Sequence, residues 1–307
     1  MSRLVSRRAL LVGVGAAVAV SSCGPSAHAS RREPTFVCVH TTNASGHWFA
    51  PLVAQLTAAG LRAVAVDLPG HGAQAYYPRA YQAPQNVAGL AVEPSPSAGL
   101  TLGDYVNHVV AVVRRVEPVI LVGHADAGAT LTLVADAVPE LVSRLVYVAA
   151  GCCTAMPTLS DYMRSPDNAG AVQVPVVGDP AALGVTRINW RTHDPRDLAT
   201  FHAALAHSYD DTGFRALLNQ LQPDEPASIW GTAARGDPAA WGRVPRTYIR
   251  FDQDRTLTPA VQDRMIAEAD ALTPDNRFAV HTVGLPHAGP LDHPDIVTIL
   301  RKLPETP

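Results

Sequence analysis

A segment that could carry covalent acyl chemistry lies near the middle of the chain. Val119-Ile120-Leu121-Val122-Gly123-His124-Ala125-Asp126-Ala127-Gly128-Ala129 reads as a strand, a sharp turn and the start of a helix. Its form is that of Gly-x-Ser-x-Gly, in which small flanking residues accommodate a strained turn that exposes a nucleophilic hydroxyl. The serine position here is Ala125. A methyl group has no lone pair to offer a carbonyl carbon, so this sequence forms no acyl-enzyme. Asp126 follows, and two readings of it stand side by side. At the first turn of a helix a carboxylate is favoured by free N–H groups and the macrodipole. A side chain turned toward a pocket would instead supply an acid–base group in place of the missing hydroxyl.

Other chemistries are thinly represented. Lys302 is the single lysine among 24 cationic residues, which leaves no lysine in a Walker-type or kinase motif. The cysteines at 23, 38, 152 and 153 have neither Cys-x-x-Cys spacing nor the histidine spacing of a zinc site, so no metal and no cofactor are expected. Cys38 sits in an apolar run and reads as a core residue, and the adjacent Cys152 and Cys153 cannot bridge each other without strain. A formal charge of −3 and 6% aromatic residues give no basic stripe for phosphates. The expected partner is therefore a small molecule, not a nucleic acid.

The elements that must position this turn follow from hydropathy. With 307 residues, 47% of them hydrophobic, the chain can bury a generous core. Thr35–His40 is a β-branched, nearly continuous apolar run, the pattern of a strand buried on both faces. Similar runs recur at Ala63–Val66, Val119–Val122, Leu145–Ala149 and Thr247–Phe251, with a weaker one at Phe278–Val283. Helical stretches separate them, at Trp48–Ala59, Leu102–Val116, Ala127–Val138, Pro259–Ala271 and Pro294–Leu303. Strand and helix alternating at these lengths predict an α/β class with a mainly parallel sheet and helices on both faces. The alternation breaks from residue 151 to 243, which predicts a mainly helical lid between two core strands. Trp190, Trp230 and Trp241 read as packing residues of that lid.

Residues 1–30 read as an export signal and are set apart from the fold, with 31–34 as a linker. Ser6-Arg7-Arg8 precedes an apolar stretch through Val20, which is similar to a twin-arginine signal. Val20-Ser21-Ser22-Cys23 resembles a lipobox, with Cys23 as the lipid anchor, and Ala27-His28-Ala29 is a competing cleavage site. The expected location is exported, either as a cell-envelope lipoprotein or in secreted form.

From residue 35 to 303 the chain resembles the α/β-hydrolase superfamily, and within it the branch of hydroxynitrile lyases and methyl esterases. The matching motifs stand in order after successive core strands. They are His40-Thr41, Asp67-Leu68-Pro69-Gly70-His71-Gly72, the turn at Ala125, Asp252-Gln253-Asp254 and Pro286-His287-Ala288-Gly289. The resemblance implies that Asp254 is the acid and His287 the base of a triad whose nucleophile position is Ala125. It implies an oxyanion hole made by the backbone N–H groups of Thr42 and Asp126, with the Thr41 hydroxyl contacting substrate or merely filling space. Asp126, if its carboxylate faces the pocket, would lie within reach of His287. His124 reads as structural, meeting backbone groups behind the turn, and His71 and Tyr81 have no assignable role.

Three functions are compatible with these residues. The first is an enzyme acting on a small organic ester or carbonyl compound through the His287–Asp254 base, by non-covalent hydrolysis, elimination or cyclisation. The second is a binding protein that keeps the pocket without turnover. The third is an ordinary serine esterase inactivated by an engineered serine-to-alanine change at 125. With base and oxyanion donors expected in place and only the nucleophile lacking, Ala125→Ser is expected to restore or greatly raise ester hydrolysis.

Overall fold

Strands whose side chains are apolar on both faces need cover on both sides, and the chain supplies it. The computed structural model describes residues 33–305; the expected export signal at residues 1–30, with Cys23, and Arg31-Arg32 of the expected linker lie outside the described residues. The strands are β1 (Thr35–Val39), β2 (Ala63–Val66), β3 (Val119–His124), β4 (Val142–Val148), β5 (Val185–Arg187), β6 (Asp224–Pro226), β7 (Arg246–Phe251) and β8 (Ala279–Val283). The helices are α1 (Ala50–Ala58), α2 (Val87–Leu90), α3 (Leu102–Val116), α4 (Ala127–Ala137), α5 (Leu159–Met163), α6 (Pro180–Leu183), α7 (Pro195–Leu205), α8 (Asp211–Leu218), α9 (Ser228–Gly231), α10 (Pro259–Leu272) and α11 (Pro294–Lys302).

Six strands form one parallel sheet in the order β2-β1-β3-β4-β7-β8. Every residue of β1 and β3 is buried. Alternate side chains of β1 feed two cores. Val37 and Val39 meet α3, α4 and α10, whereas Phe36 and Cys38 meet α1 and α11. Helix α3 shows how such cover is specified. Thr101 and Asp104 close a capping box at its start, and Tyr105, Val109 and Val113 recur on the buried face. At the edge, β8 exposes four of its five residues, which is why its apolar run was weak in the sequence.

The sheet order reverses between β1 and its two neighbours β2 and β3, so the loops leaving β1 and β3 diverge and open a crevice at their carboxyl ends. Residues 41–43 and the turn at Ala125 both stand there.

The excursion between β4 and β7 is mainly helical, with one addition that the hydropathy pattern did not predict. It carries the short helices α5 to α9, but β5 and β6 also pair as an antiparallel ribbon. Val-Thr-Arg and Asp-Glu-Pro are too short and too polar to register as a buried apolar run. The ribbon is held instead by charge. Arg187 donates from Nε and Nη2 to the two oxygens of Asp224 at 2.6 and 2.7 Å, and Nη1 donates to the carbonyls of Leu90 and Glu93. A separate apolar cluster around Trp190, Phe201, Phe214 and Leu221 packs the rest of the segment.

Candidate active site

Strand β3 ends at His124, and the chain turns at Ala125 with φ of +52°. That is left-handed backbone, rare for a residue with a Cβ, and it is held by its surroundings. The Ala125 N–H donates to the Val148 carbonyl, and its own carbonyl accepts from Gly128 and Gly151. A Cβ on Gly128 would lie 2.1 Å from the Gly151 carbonyl oxygen, so only glycine lets α4 start this close. The turn thus points the Ala125 methyl group into a cavity.

Two loops beyond later strands bring a base to it. Asp254, after β7, accepts from the Thr256 and Leu257 N–H groups through Oδ1, both at 2.8 Å, which fixes the carboxylate. Its Oδ2 accepts from His287 Nδ1, after β8, at 2.7 Å. Burial pushes the His287 imidazole down, but the Asp254 carboxylate, aided by Asp126, outweighs it and leaves the ring above its ordinary value. Among the described residues no hydrogen bond occupies Nε2, and His287 lines the cavity. His124 stays neutral because burial pushes it well down. Its Nε2 donates to the His287 carbonyl at 2.9 Å, which ties the base's loop to the turn.

Asp126 corrects several expectations together. It does not cap α4. Its side chain turns across the crevice, and Oδ1 accepts from the Thr42 N–H at 2.6 Å and from the Thr41 hydroxyl at 2.8 Å. The Thr42 donor of the expected oxyanion hole is therefore already engaged, and the Thr41 hydroxyl is hydrogen-bonded to Asp126 while the residue itself lines the cavity. The physical reason is proximity. A carboxyl carried on the turn finds a convergent N–H and O–H pair on the facing loop, and such buried donors seek an acceptor. Asp126 and His287 act on each other through space, with no hydrogen bond between them among the described residues. Burial and the nearby Glu225 carboxylate raise Asp126 to about 7, against the opposing Thr42 and Thr41 hydrogen bonds.

Behind this lies a cluster that had no assigned part in the sequence reading. His71 is buried, with Nε2 3.3 Å from Glu225 and 2.9 Å from the Tyr105 hydroxyl. Its motif after β2 marked the position without showing its partner. Glu225, in the lid, had no local signal at all, because its contact with Asn43 spans 182 residues of chain.

The cavity measures about 300 Å³, the low end for small-molecule sites. Around Ala125, Asp126 and His287 its wall is mostly apolar, with Trp48, Leu159, Met163, Leu221 and Met265 among the lining side chains. Trp190 and Trp230 also line it, beyond the packing role expected of them. Trp241 belongs to the main core, where its Nε1 donates to the Tyr147 hydroxyl at 2.9 Å. Cys38, Cys152 and Cys153 are buried free thiols.

A family profile described as the alpha/beta hydrolase family matches residues 36–298. Among solved structures, a pyrethroid hydrolase from Sphingobium faniae JZ-2 superposes with a TM-score of 0.64 at 19% identity, over 89% of this chain and 98% of that one. A methylesterase from Arabidopsis gives 0.63 at 17% identity, over 89% and 100%. An extracellular alpha/beta-hydrolase from a Paenibacillus species gives 0.62 at 16%, over 88% and 98%. At these identities the likeness is one of fold. A search of curated proteins found no match.

Proposed function

The chain belongs to the alpha/beta hydrolase family, and from that premise we propose that it is a cofactor-free enzyme moving protons on a small, mostly apolar ester or carbonyl compound, with no covalent intermediate. One observation carries the reading. The His287–Asp254 pair, 2.7 Å apart, faces a cavity in which a methyl group stands on the turn that would carry a nucleophile.

Asp254 holds the imidazole with Nδ1 protonated, so the Nε2 lone pair is available to accept a proton. A substrate carbonyl oxygen set against Asp126 meets a carboxyl group, which in its acid form donates a hydrogen bond as negative charge develops on that oxygen. Two steps fit this arrangement. In hydrolysis, Nε2 takes a proton from water as the water oxygen bonds to the carbonyl carbon, and the imidazolium returns it to the departing alkoxide. In elimination, Nε2 takes the proton from the carbon next to the carbonyl, and the electron pair expels a leaving group from the adjoining carbon. That a methylesterase and a polyneuridine aldehyde esterase share the fold favours an ester-like substrate.

A screen of short, apolar esters and β-substituted ketones, comparing the chain with its His287→Ala variant, tests the reading. Multiple turnovers that disappear in the folded variant support it. Turnover indifferent to His287 overturns it. A binding role is the second reading, favoured by the engaged Thr42 N–H; saturable binding with no product from any member of the panel would support that role.

We also propose that residues 1–30 export the chain and that Cys23 becomes its lipid-bearing residue. The arginine pair and the small residues before the cysteine support this.

A further inference from the structure

Glu225 belongs to no step above, yet it is 1% exposed and fully engaged. It stands on β6 of the lid. Its Oε2 accepts from the Asn43 N–H at 2.9 Å, its Oε1 accepts from the Tyr105 hydroxyl at 2.9 Å, and His71 Nε2 lies 3.3 Å from Oε2. Asn43 directly follows Thr42, whose N–H holds Asp126. Two buried carboxyl groups therefore hang on successive amides of one loop.

The loop is built for this. Asn43 has φ of +55°, left-handed backbone of the sort in which neighbouring N–H groups converge on anions. Its side-chain amide donates to the Gln222 and Pro223 carbonyls, which pins that conformation to the lid. Two carboxyls held on successive amides in a poorly solvated interior favour one negative charge over two. The two carboxyls are not equivalent in their claim to it. Glu225 has the His71 imidazole and the Tyr105 hydroxyl beside it, whereas Asp126 has the Thr41 hydroxyl and an apolar cavity.

We propose that Glu225 is a positioning residue that keeps Asp126 in its acid form: it holds the single negative charge of the 41–43 hollow and leaves a neutral carboxyl facing the cavity. This rests on Asp126 acting as the acid of the reaction proposed above. The groups that face Asp126 come from four elements. Glu225 on β6 opposes its ionisation. His71 after β2 and His287 after β8 favour it, and the Tyr105 phenol on α3 is a weaker neighbour. Burial and Glu225 outweigh the two imidazoles, and the raised Asp126 and lowered Glu225 follow the same division of charge.

The test reads ionisation without substrate. Full-length protein carrying carboxyl-13C aspartate is titrated by NMR, with the Asp126 signal assigned by its loss in Asp126→Asn. The wild-type midpoint is expected near 7. Glu225→Gln keeps a side chain of the same shape, and the midpoint is expected to fall by about one pH unit or more, the effect of removing a nearby like charge. The alkaline limb of any turnover should move by the same amount, a change that loss of packing alone would not give. A wild-type midpoint in the ordinary carboxylate range overturns the proposal, as does an unchanged midpoint in folded Glu225→Gln. Should that variant not fold, a carboxyl-13C glutamate sample of the wild type decides. Glu225 must stay ionised while Asp126 titrates, and the reverse order overturns the proposal. Because these signals need no substrate, a failed activity screen leaves the proposal standing, and an ordinary midpoint leaves the His287 base untouched.

Discussion

The Thr42 N–H donates to Asp126 Oδ1 at 2.6 Å, joining two loops that are 84 residues apart in the chain. In acyl transfer such an amide waits for the oxygen that becomes charged in the transition state, and its value lies in being preorganised and available. Here a carboxyl of the protein has taken the place of that oxygen. For a carbonyl bound against Asp126, as proposed above, what the crevice offers depends on whether that carboxyl carries a proton.

Asp126→Asn should therefore stabilise the fold in alkaline solution. The carboxyl is raised when folded, so its protonated form is the one the folded state favours. That contribution is complete below the unfolded value near 4 and is lost as pH rises through about 7. Asparagine keeps an acceptor for Thr41 and Thr42 and cannot ionise. Thermal melts of both proteins should coincide near pH 3, below both values, and at pH 8 the variant should be more stable by on the order of 4 kcal/mol. A variant equally destabilised at both pH values would show that Asp126 is not raised.

Turnover should follow a narrow bell centred near neutrality. His287 must be neutral to accept a proton, so activity falls as pH drops below its raised value. Asp126 must be protonated to donate, so activity also falls as pH climbs past about 7. In the folded His287→Ala protein the rate should drop by roughly 10²–10⁴. A profile that climbs steadily to pH 9 would mean that Asp126 is not the acid.

The distance between a residue and its partner decided what the sequence could reveal. Core strands such as β1 and β3 were legible because burial on both faces leaves an unbroken apolar run, and Asp254 and His287 because each follows such a strand within a short motif. Ala125 was legible from Gly123 and Gly128, which the turn needs for close packing. Asp126 was visible as a residue, but not its direction, since a carboxyl at the start of a helix can cap or turn away and only the facing Thr41-Thr42 decides. The His71–Glu225 pair joins elements with nothing local in common, and β5 and β6 are held by a long-range ion pair that hydropathy does not register.

The lid should depend on Arg187 and Asp224. Both are almost fully buried, and the bidentate geometry satisfies charges that would otherwise stand unpaired. Asp224→Ala leaves the guanidinium without its anion, at a cost of roughly 3–5 kcal/mol. Replacing both residues with apolar side chains of similar volume should recover much of that loss. Chemical denaturation of the three proteins measures it, and equal losses in single and double variants would mean that the charges do not act as a pair.

Intact-mass measurement on membrane-extracted protein should find a diacylated chain beginning at Cys23. One acyl chain holds a protein at a membrane only marginally, whereas two give stable anchoring. Cys23→Ser should release the protein into the soluble fraction. A cytoplasmic chain that retains Met1 would rule out export.

Restoring a hydroxyl on the turn should not by itself restore an esterase. Ala125→Ser places Oγ on the left-handed turn beside the His287–Asp254 pair, which completes nucleophile, base and acid. The tetrahedral intermediate would still find the Thr42 N–H engaged with Asp126. Loss of one oxyanion donor costs about 10²–10³ in rate, so the single variant is expected to stay near background on short acyl esters. Ala125→Ser/Asp126→Ala removes the carboxyl, leaves the backbone N–H of residue 126 in place and frees that of Thr42. Its esterase rate should exceed that of the single variant by about 10²-fold or more. Adding His287→Ala should return it to background, since the serine then has no base. If Ala125→Ser alone is as active as the double variant, Asp126 swings clear of the Thr42 amide when substrate binds, and the crevice is an ordinary oxyanion hole.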